Sequence, residues 1–406
     1  MNTILVIGNY DAFTKLLFKK LHTEKWQIYT LINKKSLIKP IHVFEQYVFD
    51  YKSDTVKEVI ESCRPDVILF TGAYDSSYNW NTENTNEIAL NYIADLSNIL
   101  VSAAALGIKH FVYLSSEAVF EDEYVIDIEE DMPVTPDSYK GVAIALGENI
   151  TLYFGQTSGT ETTVVRLANM FIIPEDRDSC NDPISRMCLE AIINGRLKVN
   201  AKTEFSCLYV KDAVEALYLL ISAFERRHNL YHVSSTEEVT EDKIASLIKD
   251  NCKHPVEIVD NTVGLRKRVF LSCQRFCSEF HFEIKNSYRD IVPKIITHMD
   301  KHRKHFLYSD ENYRKEQDKN LFKRLFRKAV PFIECIILFV PVFAFSHGII
   351  DNQYFSSVNF YLLYVLLFSV VYGSQQAIFS SLLSVIGNIL SRILKPTDVT
   401  VYLDTD

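Results

Sequence analysis

The segment ILVIGNYDAFT, residues 4–14, holds the first residues whose types and spacing could bind a ligand. It reads as a buried strand that ends at Gly8 and passes through a turn into a helix. Such a turn binds the pyrophosphate of a dinucleotide when glycines let the backbone approach and the helix N-terminus supplies N–H donors. The expected spacing is G-x-x-G-x-x-G, and only the first glycine is present.

Asp11 and Thr14 occupy the second and third glycine positions of this turn. Thr14 adds bulk that the turn could accommodate. The carboxylate of Asp11 is the larger obstacle, because it would repel a pyrophosphate that rests on the same N–H groups. It could instead accept those N–H groups as a helix cap. We therefore favour a cap at Asp11 over a working phosphate site.

The elements that would position this turn follow an α/β pattern from residue 1 to about residue 300. Short apolar runs alternate with amphipathic helical stretches, which is typical of a Rossmann-like doubly wound parallel sheet. The predicted strands are ILVIG (4–8), QIYTLI (27–32), VFD (48–50), DVILFTG (66–72), HFVYLSS (110–116) and TTVVRL (162–167). The stretch NEIALNYIADLSNILVSAAALG predicts one of the helices between them.

Charge and cysteine usage exclude two classes of function. The chain of 406 residues has a net charge of −9, and this acidic balance argues against nucleic acid as a partner. Its eight cysteines are scattered; Cys273 and Cys277 form the only close pair, and no second pair stands at zinc spacing. We therefore expect reduced thiols and no metal site. The chain opens directly into a strand, so we also expect no cleavable signal peptide.

The C-terminal quarter differs in composition from the rest of the chain. Residues 301–328 hold ten Lys and Arg against four Asp and Glu, and they predict a basic juxtamembrane linker. Apolar runs follow at 329–350, 358–373 and 377–390 within a predicted transmembrane region, residues 329–395, before a tail at 396–406. Basic residues beside a first transmembrane helix stay in the cytoplasm, so residues 1–300 are expected there. Buried soluble helices are the alternative for these runs.

Residues 1 to about 297 resemble an extended short-chain dehydrogenase/reductase of the NAD-dependent nucleotide-sugar epimerase and dehydratase family. The resemblance rests on segments in the same order, among them PDVILFTGA (65–73), NILVSAAALGIKHFVYLSSEAVF (98–120), TPDSYKGVAIALGE (135–148), VVRLANMF (164–171) and GLRKRVFLSCQRF (264–276). It implies the Rossmann-like sheet followed by a small C-terminal substrate subdomain, and NAD or NADP as cofactor. A homodimer through the helix that carries Tyr139 is a further expectation from it.

The resemblance also implies a catalytic pair. Ser116 matches the serine that binds the reacting oxygen, and Tyr139 matches the tyrosine acid or base. Family members carry a lysine four residues after that tyrosine, which lowers its pKa from about 10. Here Ala143 stands in that place, and Lys140 would project about 100° away on a helix. The pair is therefore incomplete.

The remaining site residues are assigned by the same resemblance. The cofactor side comprises Gly8, Asp11, Asn33, Asp50 and Gly72, with Asn33 where an acid often holds the ribose and Asp50 as an adenine contact or a loop acid. The substrate side comprises Arg166, Asn169, Arg266 and Arg268. Guanidinium groups suit the diphosphate of a nucleotide sugar because they pair with it through two hydrogen bonds, although each arginine alone could be a solvated surface charge.

The losses fall on the dinucleotide and its proton relay, so we predict a domain that binds without catalysing hydride transfer. Residues 361–390 resemble the multi-pass region of the Pel-type exopolysaccharide regulator. The sequence therefore predicts a membrane-anchored, cytoplasm-facing domain that regulates or assembles a cell-surface polysaccharide synthase and senses a nucleotide sugar. Two alternatives stay open: an active NAD(P)-dependent epimerase tethered to the membrane, and a structural scaffold that binds no nucleotide.

Overall fold

The computed structural model describes residues 2–9, 11–33, 40–80, 84–120, 124–235, 237–264, 267–307, 330–344, 359–372 and 374–394. The chain divides into two compact units, Met1–Asp310 and Glu311–Asp406. The first unit holds every strand of the described residues, and the second holds three described helices.

The strands run in chain order through the first unit. They are β1 (Thr3–Ile7), β2 (Gln27–Ile32), β3 (Glu45–Val48), β4 (Val67–Phe70), β5 (His110–Ser116), β6 (Tyr124–Ile128), β7 (Glu161–Leu167), β8 (Asn169–Phe171), β9 (Arg196–Val199), β10 (Thr203–Phe205), β11 (Cys207–Tyr209), β12 (Leu230–Val233), β13 (Val239–Thr240), β14 (Glu257–Asp260) and β15 (Lys267–Leu271).

Helices occur in both units of the chain. They are α1 (Ala12–Thr23), α2 (Ser53–Cys63), α3 (Thr85–Ala105), α4 (Tyr139–Ser158), α5 (Pro183–Asn194), α6 (Val210–Ser222), α7 (Glu241–Asn251), α8 (Gln274–Phe280), α9 (Tyr288–Lys301), α10 (Arg303–Leu307), α11 (Val330–Ala344), α12 (Phe360–Tyr372) and α13 (Ser374–Leu394).

Seven parallel strands form the central sheet in the order β12-β7-β5-β4-β1-β2-β3. Its central strands are buried on both faces, because helices cover each side. Ile4 and Val6 of β1 face the core beneath α1 and α6, whereas Leu5 and Ile7 face the core beneath α2, α3 and α4. The predicted doubly wound parallel sheet is therefore confirmed.

Three smaller sheets complete the first unit. One has four strands in the order β13-β10-β15-β6, and the pairs β11–β8 and β14–β9 form the others. One predicted strand is wrong: the third strand is Glu45–Val48 and not VFD at 48–50. This strand lies at the sheet edge with exposed residues at its ends, so its apolar pattern is weak.

The second unit has a small core, and many of its large apolar side chains lie on the outer surface. Cys335, Tyr364 and Phe368 form its small core, and the Tyr364 hydroxyl donates to the Cys335 carbonyl. Ser380 and Ser384 of α13 are buried too. Large apolar side chains face outward on all three helices, among them Ile337, Val340, Leu363, Val370, Ile378 and Val385, which are 56–83% exposed.

The lengths of these helices differ from the predicted runs. The second run is helical over Phe360–Tyr372, and the third extends over Ser374–Leu394. Part of the first run and all of the tail lie outside the described residues. Within the part of the chain that the structure describes, one helix is long and apolar enough to cross a membrane, and it is α3 of the central domain. Helices α11 and α12 are apolar but shorter.

Candidate functional site

The candidate site lies at the carboxyl edge of the central sheet. The strand order reverses between β1 and β4, and parallel α/β sheets bind ligands in the crevice at such a switch point. Gly8 follows β1, Gly72 follows β4, and Ser116 ends β5. Asn169 follows β7 after one residue. The fold therefore brings four of the predicted site residues to one edge.

Both glycines of this edge are required by the packing of the strands. Gly8 has a φ of +142°, and a Cβ added there would lie 1.8 Å from the Thr71 hydroxyl oxygen. Gly72 has a φ of +52°, and its added Cβ would lie 2.3 Å from the Leu114 carbonyl oxygen. A side chain at either position would force neighbouring strands apart.

Asp11 is the N-cap of α1, which confirms the capping interpretation. Its carboxylate accepts the Thr14 N–H at 2.8 Å, and the Thr14 hydroxyl accepts the Asp11 N–H at 2.8 Å. This reciprocal capping box uses N–H groups that a phosphate would otherwise take at a helix N-terminus. Thr14 is buried, so its bulk is accommodated at the third glycine position.

Asp75, which the sequence analysis missed, holds the other side of the same turn. This buried carboxylate accepts the Asn9 N–H at 3.1 Å and the Ser77 N–H at 2.9 Å. The Tyr51 hydroxyl donates to its second oxygen at 3.0 Å. Asn9 directly follows Gly8, so Asp75 takes the first backbone donor of the turn. The sequence signal that could have identified Asp75 is an acidic residue a few positions after the end of β4.

Two carboxylates therefore share the turn in which a pyrophosphate would lie. Burial raises the pKa of Asp11 to about 6, the Thr14 hydrogen bonds oppose the rise, and the charge of Asp75 adds to it. Repulsion between like charges raises a carboxyl pKa when the two groups are near each other. The turn is thus an anionic environment in which the N–H groups of Asn9, Asp11 and Thr14 are already engaged.

Ser116 and Tyr139 lie on neighbouring elements at this edge. Ser116 is almost fully buried, and its hydroxyl oxygen accepts the Ala118 N–H at 3.2 Å. Tyr139 is the first residue of α4 and is 59% exposed. Gly141 lets the first turn of α4 approach the segment after Ser116, because its added Cβ would lie 2.4 Å from the Ala118 carbonyl oxygen.

Ala143 lies on the buried face of α4, where only 1% of it is exposed. It packs in the core beneath α2, α3 and α4. The position four residues after Tyr139 therefore carries a methyl group and no cation.

Arg166 lies in the interior, which argues against its predicted contact with substrate. Its guanidinium pairs with Glu148 through two hydrogen bonds of 2.8 and 2.7 Å, and both residues are about 4% exposed. Its remaining nitrogen lies 3.1 Å from His232 Nε2 and 3.4 Å from the Glu130 carbonyl oxygen. Glu148 also accepts the Ser115 hydroxyl. We therefore correct this assignment: Arg166 joins α4, β5, β7 and β12.

The side chain of Asn169 stays at the carboxyl edge and is held there. Its amide donates to the Glu117 carboxylate, and its backbone N–H donates to the same group at 3.2 Å. Glu117 directly follows Ser116, so Asn169 and Ser116 are brought together. This is the part of the predicted substrate side that reaches the crevice.

The other predicted site residues lie at the periphery of the site or outside the described residues. Asp50 forms an exposed ion pair with Lys52 at 2.9 Å, whose hydrogen bond lowers the pKa of Asp50. Asn33 is exposed after β2. Arg268 lies in β15, but its side chain is outside the described part of the structure. Arg266 lies outside the described residues. The described residues contain no group of three His, Cys, Asp or Glu that could hold a metal ion.

Solved structures of nucleotide-sugar enzymes share this fold. UDP-glucose 4-epimerase from Thermotoga maritima, solved with UDP-glucose, is 18% identical with a TM-score of 0.63, and the match covers 74% of this chain and 99% of that chain. UDP-glucuronic acid 4-epimerase from Bacillus cereus, in complex with UDP-glucuronic acid and NAD, is 13% identical with a TM-score of 0.63 and coverages of 74% and 99%.

The solved structure of a dehydratase shares the fold as well. The dTDP-glucose 4,6-dehydratase from Streptomyces venezuelae, with NAD bound, is 13% identical with a TM-score of 0.63 and covers 74% of this chain and 98% of its own. No curated protein sequence matches the chain. Residues 4–234, more than half of the chain, match the sequence profile of one family. The chain belongs to the NAD dependent epimerase/dehydratase family.

Proposed function

We propose that this protein is a membrane-anchored, non-catalytic member of its family that binds a nucleotide sugar and acts in the assembly or regulation of cell-surface polysaccharide synthesis. The observation that carries the proposal is the pair of carboxylates, Asp11 and Asp75, in the phosphate turn. The family's fold implies NAD as a cofactor, and the chemistry of this turn tests whether it fits.

The turn does not fit a dinucleotide pyrophosphate. A bound pyrophosphate would have to displace Asp75 from the Asn9 N–H and Asp11 from the Thr14 N–H. Each displacement would cost a carboxylate one of its backbone donors and leave it beside a second anion, which is unfavourable for both charges. Bulk at the second glycine position would also keep the pyrophosphate from the backbone.

Loss of the proton relay supports the same proposal. Position 143, where members of the family carry the lysine that makes the tyrosine a base, holds Ala143 in this chain. The pair Ser116 and Tyr139 is nonetheless kept at the crevice, and this favours the second candidate, an active epimerase tethered to the membrane.

The nucleotide-sugar side of the proposal rests on the relatives and on the crevice. Structures of the relatives contain UDP-glucose or UDP-glucuronic acid. In this chain the Asn169–Glu117 pair borders the same edge of the sheet, although Arg166 is used inside the fold. Binding of a nucleotide sugar would therefore depend on Asn169 and on the β15 segment that contains Arg268.

The surface of the second unit supports the membrane anchor. Large apolar side chains face outward on α11, α12 and α13, while Ser380 and Ser384 face inward. Water-soluble helices bury their apolar faces, and helices in lipid bring small and polar residues to their contacts. Gly387 is a small residue at such a helix contact. A Cβ added there would lie 2.7 Å from Phe339 Cζ and 2.7 Å from the Tyr361 hydroxyl oxygen.

The location of the first unit follows from the basic residues. Ten Lys and Arg between residues 301 and 328 favour the cytoplasmic side for the segment before the anchor. Trypsin added to right-side-out and to inverted membrane vesicles tests this placement. The first unit should be cleaved in inverted vesicles and protected in the others; the reverse result would refute it.

An exposed apolar stripe supports a homodimer. Tyr139, Val142, Leu146 and Tyr153 recur on α4 at intervals of three, four and seven residues, and each is 42–67% exposed. A stripe at this spacing is typical of a helix that packs against another helix. Leu146→Glu should convert a dimer to a monomer in sedimentation experiments, whereas Phe224→Glu, at a 95% exposed position away from α4, should leave it unchanged.

Calorimetry on the full-length protein in detergent micelles distinguishes the candidate functions. We expect UDP-glucose or UDP-glucuronic acid to bind and NAD and NADP to give no heat of binding. Tight dinucleotide binding, or an epimerase activity that Tyr139→Phe abolishes, would replace the proposal with the tethered enzyme. Binding of neither class of ligand would indicate the scaffold.

A further inference from the structure

Cys273 and Cys277 form a close dithiol away from the candidate site. Cys273 is the N-cap residue of α8, and Cys277 lies one turn further along the same helix. Their sulfur atoms are 3.4 Å apart, which is within hydrogen-bond distance for sulfur. Cys273 is buried and Cys277 is partly exposed. Cys277 is thus the more accessible residue of the pair, and its sulfur lies beside that of Cys273.

The pKa values of the two thiols differ in the direction that favours oxidation of the more accessible one. The hydrogen bond between the two sulfurs lowers the pKa of Cys277, whereas the same contact and burial raise the pKa of Cys273. Burial raises the pKa of Cys252, the other partly exposed cysteine of the first unit. Thiolates and not thiols react with peroxides, so Cys277 should react first.

We propose that Cys273 and Cys277 are a redox-sensitive pair that forms a reversible disulfide on exposure to a peroxide. The Cys277 thiolate attacks one oxygen of hydrogen peroxide; the O–O bond breaks, and with one proton the second oxygen leaves as water. Cys277 is then a sulfenic acid. The Cys273 sulfur attacks the Cys277 sulfur, the S–O bond breaks, and hydroxide leaves as water with the Cys273 proton. Two thiols and one peroxide become one disulfide and two waters.

The bond would strain the first turn of α8. A disulfide needs a sulfur separation of about 2.0 Å, so the two sulfurs must approach by roughly 1.4 Å. Both cysteines belong to a turn that is closed by a hydrogen bond of 2.9 Å from the Cys277 N–H to the Cys273 carbonyl. Strained disulfides have higher reduction potentials, so a dithiol reductant should open this one readily.

Arg275 connects this turn to the central sheet. It lies between the two cysteines, donates to Asp131 at 2.7 Å and lies 3.4 Å from the buried carboxylate of Glu130. Glu130 in turn accepts the His232 N–H of β12 at 2.9 Å. Closing the disulfide moves the backbone that carries Arg275. We therefore expect the oxidised protein to unfold at a lower temperature than the reduced protein.

Arg275 also makes the test specific, because trypsin cleaves after it. Full-length protein in detergent micelles is treated with hydrogen peroxide, its remaining thiols are alkylated, and it is digested with trypsin without reductant. The disulfide should join the peptides VFLSCQR, residues 269–275, and FCSEFHFEIK, residues 276–285. Dithiothreitol added before alkylation should abolish the joined species.

Variants assign the order of the two thiols. Cys273→Ser should accumulate a sulfenic acid at Cys277 that dimedone captures, and Cys277→Ser should slow oxidation at Cys273 by at least tenfold. Cys252→Ser, a matched control, should form the joined peptides as the unaltered protein does. Failure to detect the joined peptides in the unaltered protein, or a disulfide from either cysteine to another partner, would overturn the proposal.

Discussion

Replacing Asp11 by asparagine should stabilise the first unit at neutral pH. Asparagine retains the oxygen that accepts the Thr14 N–H, so the helix cap is kept while the charge is removed. Burial raises the pKa of Asp11 from 3.8 to about 6, which means that the folded protein holds the proton more tightly than the unfolded chain. The ionised carboxylate therefore costs stability above pH 6.

The size of the effect follows from that rise in pKa. About two pKa units correspond to roughly 3 kcal/mol, at 1.36 kcal/mol per unit. We expect the free energy of unfolding of the variant to exceed that of the unaltered protein by up to about 3 kcal/mol at pH 8. The difference should shrink as the pH falls through 6 and vanish below about pH 3, because the carboxyl group is then neutral in both the folded and the unfolded state.

Urea unfolding of the full-length protein in detergent micelles measures this difference. Trp26 and Trp80 are the only two tryptophans of the chain, and both belong to the first unit, so their fluorescence reports on that unit alone. Asp11→Ala is the control: it loses the cap as well as the charge and should be about 1 kcal/mol less stable than the asparagine variant at every pH. A gain for Asp11→Asn that is constant from pH 4 to pH 8, or no gain at pH 8, would refute the reasoning.

Three further outcomes follow from the same contacts. Arg166→Met should destabilise the first unit by about 3–5 kcal/mol in urea unfolding because it leaves Glu148 buried without a partner, and adding Glu148→Gln should recover part of the loss. Gly8→Ala should lower the melting temperature by several degrees, with partial recovery on Thr71→Ala, since the new methyl group meets the Thr71 hydroxyl; equal effects in both backgrounds would exclude that contact as the cause. Asp11→Gly combined with Asp75→Ala should gain measurable NAD binding by calorimetry, whereas Asp11→Gly alone should not, because Asp75 still accepts the Asn9 N–H.

The sequence was sufficient to predict the architecture because the buried strands carry a strong signal. Both faces of β1, β4 and β5 are covered, so their residues are apolar without interruption. The edge strand β3 gave no such signal and was misplaced by a few residues. The cap at Asp11 was also predictable, because an N-cap involves residues only three positions apart.

The rest of the site depends on contacts between residues that are far apart in the chain. Asp75 reaches Asn9 across 66 positions, and only the pairing of β1 with β4 brings them together. Arg166 looked like a ligand-binding residue in isolation. Its partner Glu148 lies on α4, and the docking of α4 on the sheet decides that the guanidinium is buried. Local patterns contain no information about such pairs.

The close approach of Gly8 to Thr71 has a consequence for how nucleotide-binding turns are recognised. A glycine in this position satisfies a steric demand of two adjacent strands, and that demand exists whether or not a cofactor ever enters the crevice. Its presence is therefore no measure of cofactor affinity in chains of this kind. The residues that follow it, and the groups to which their amides already donate, are the informative ones.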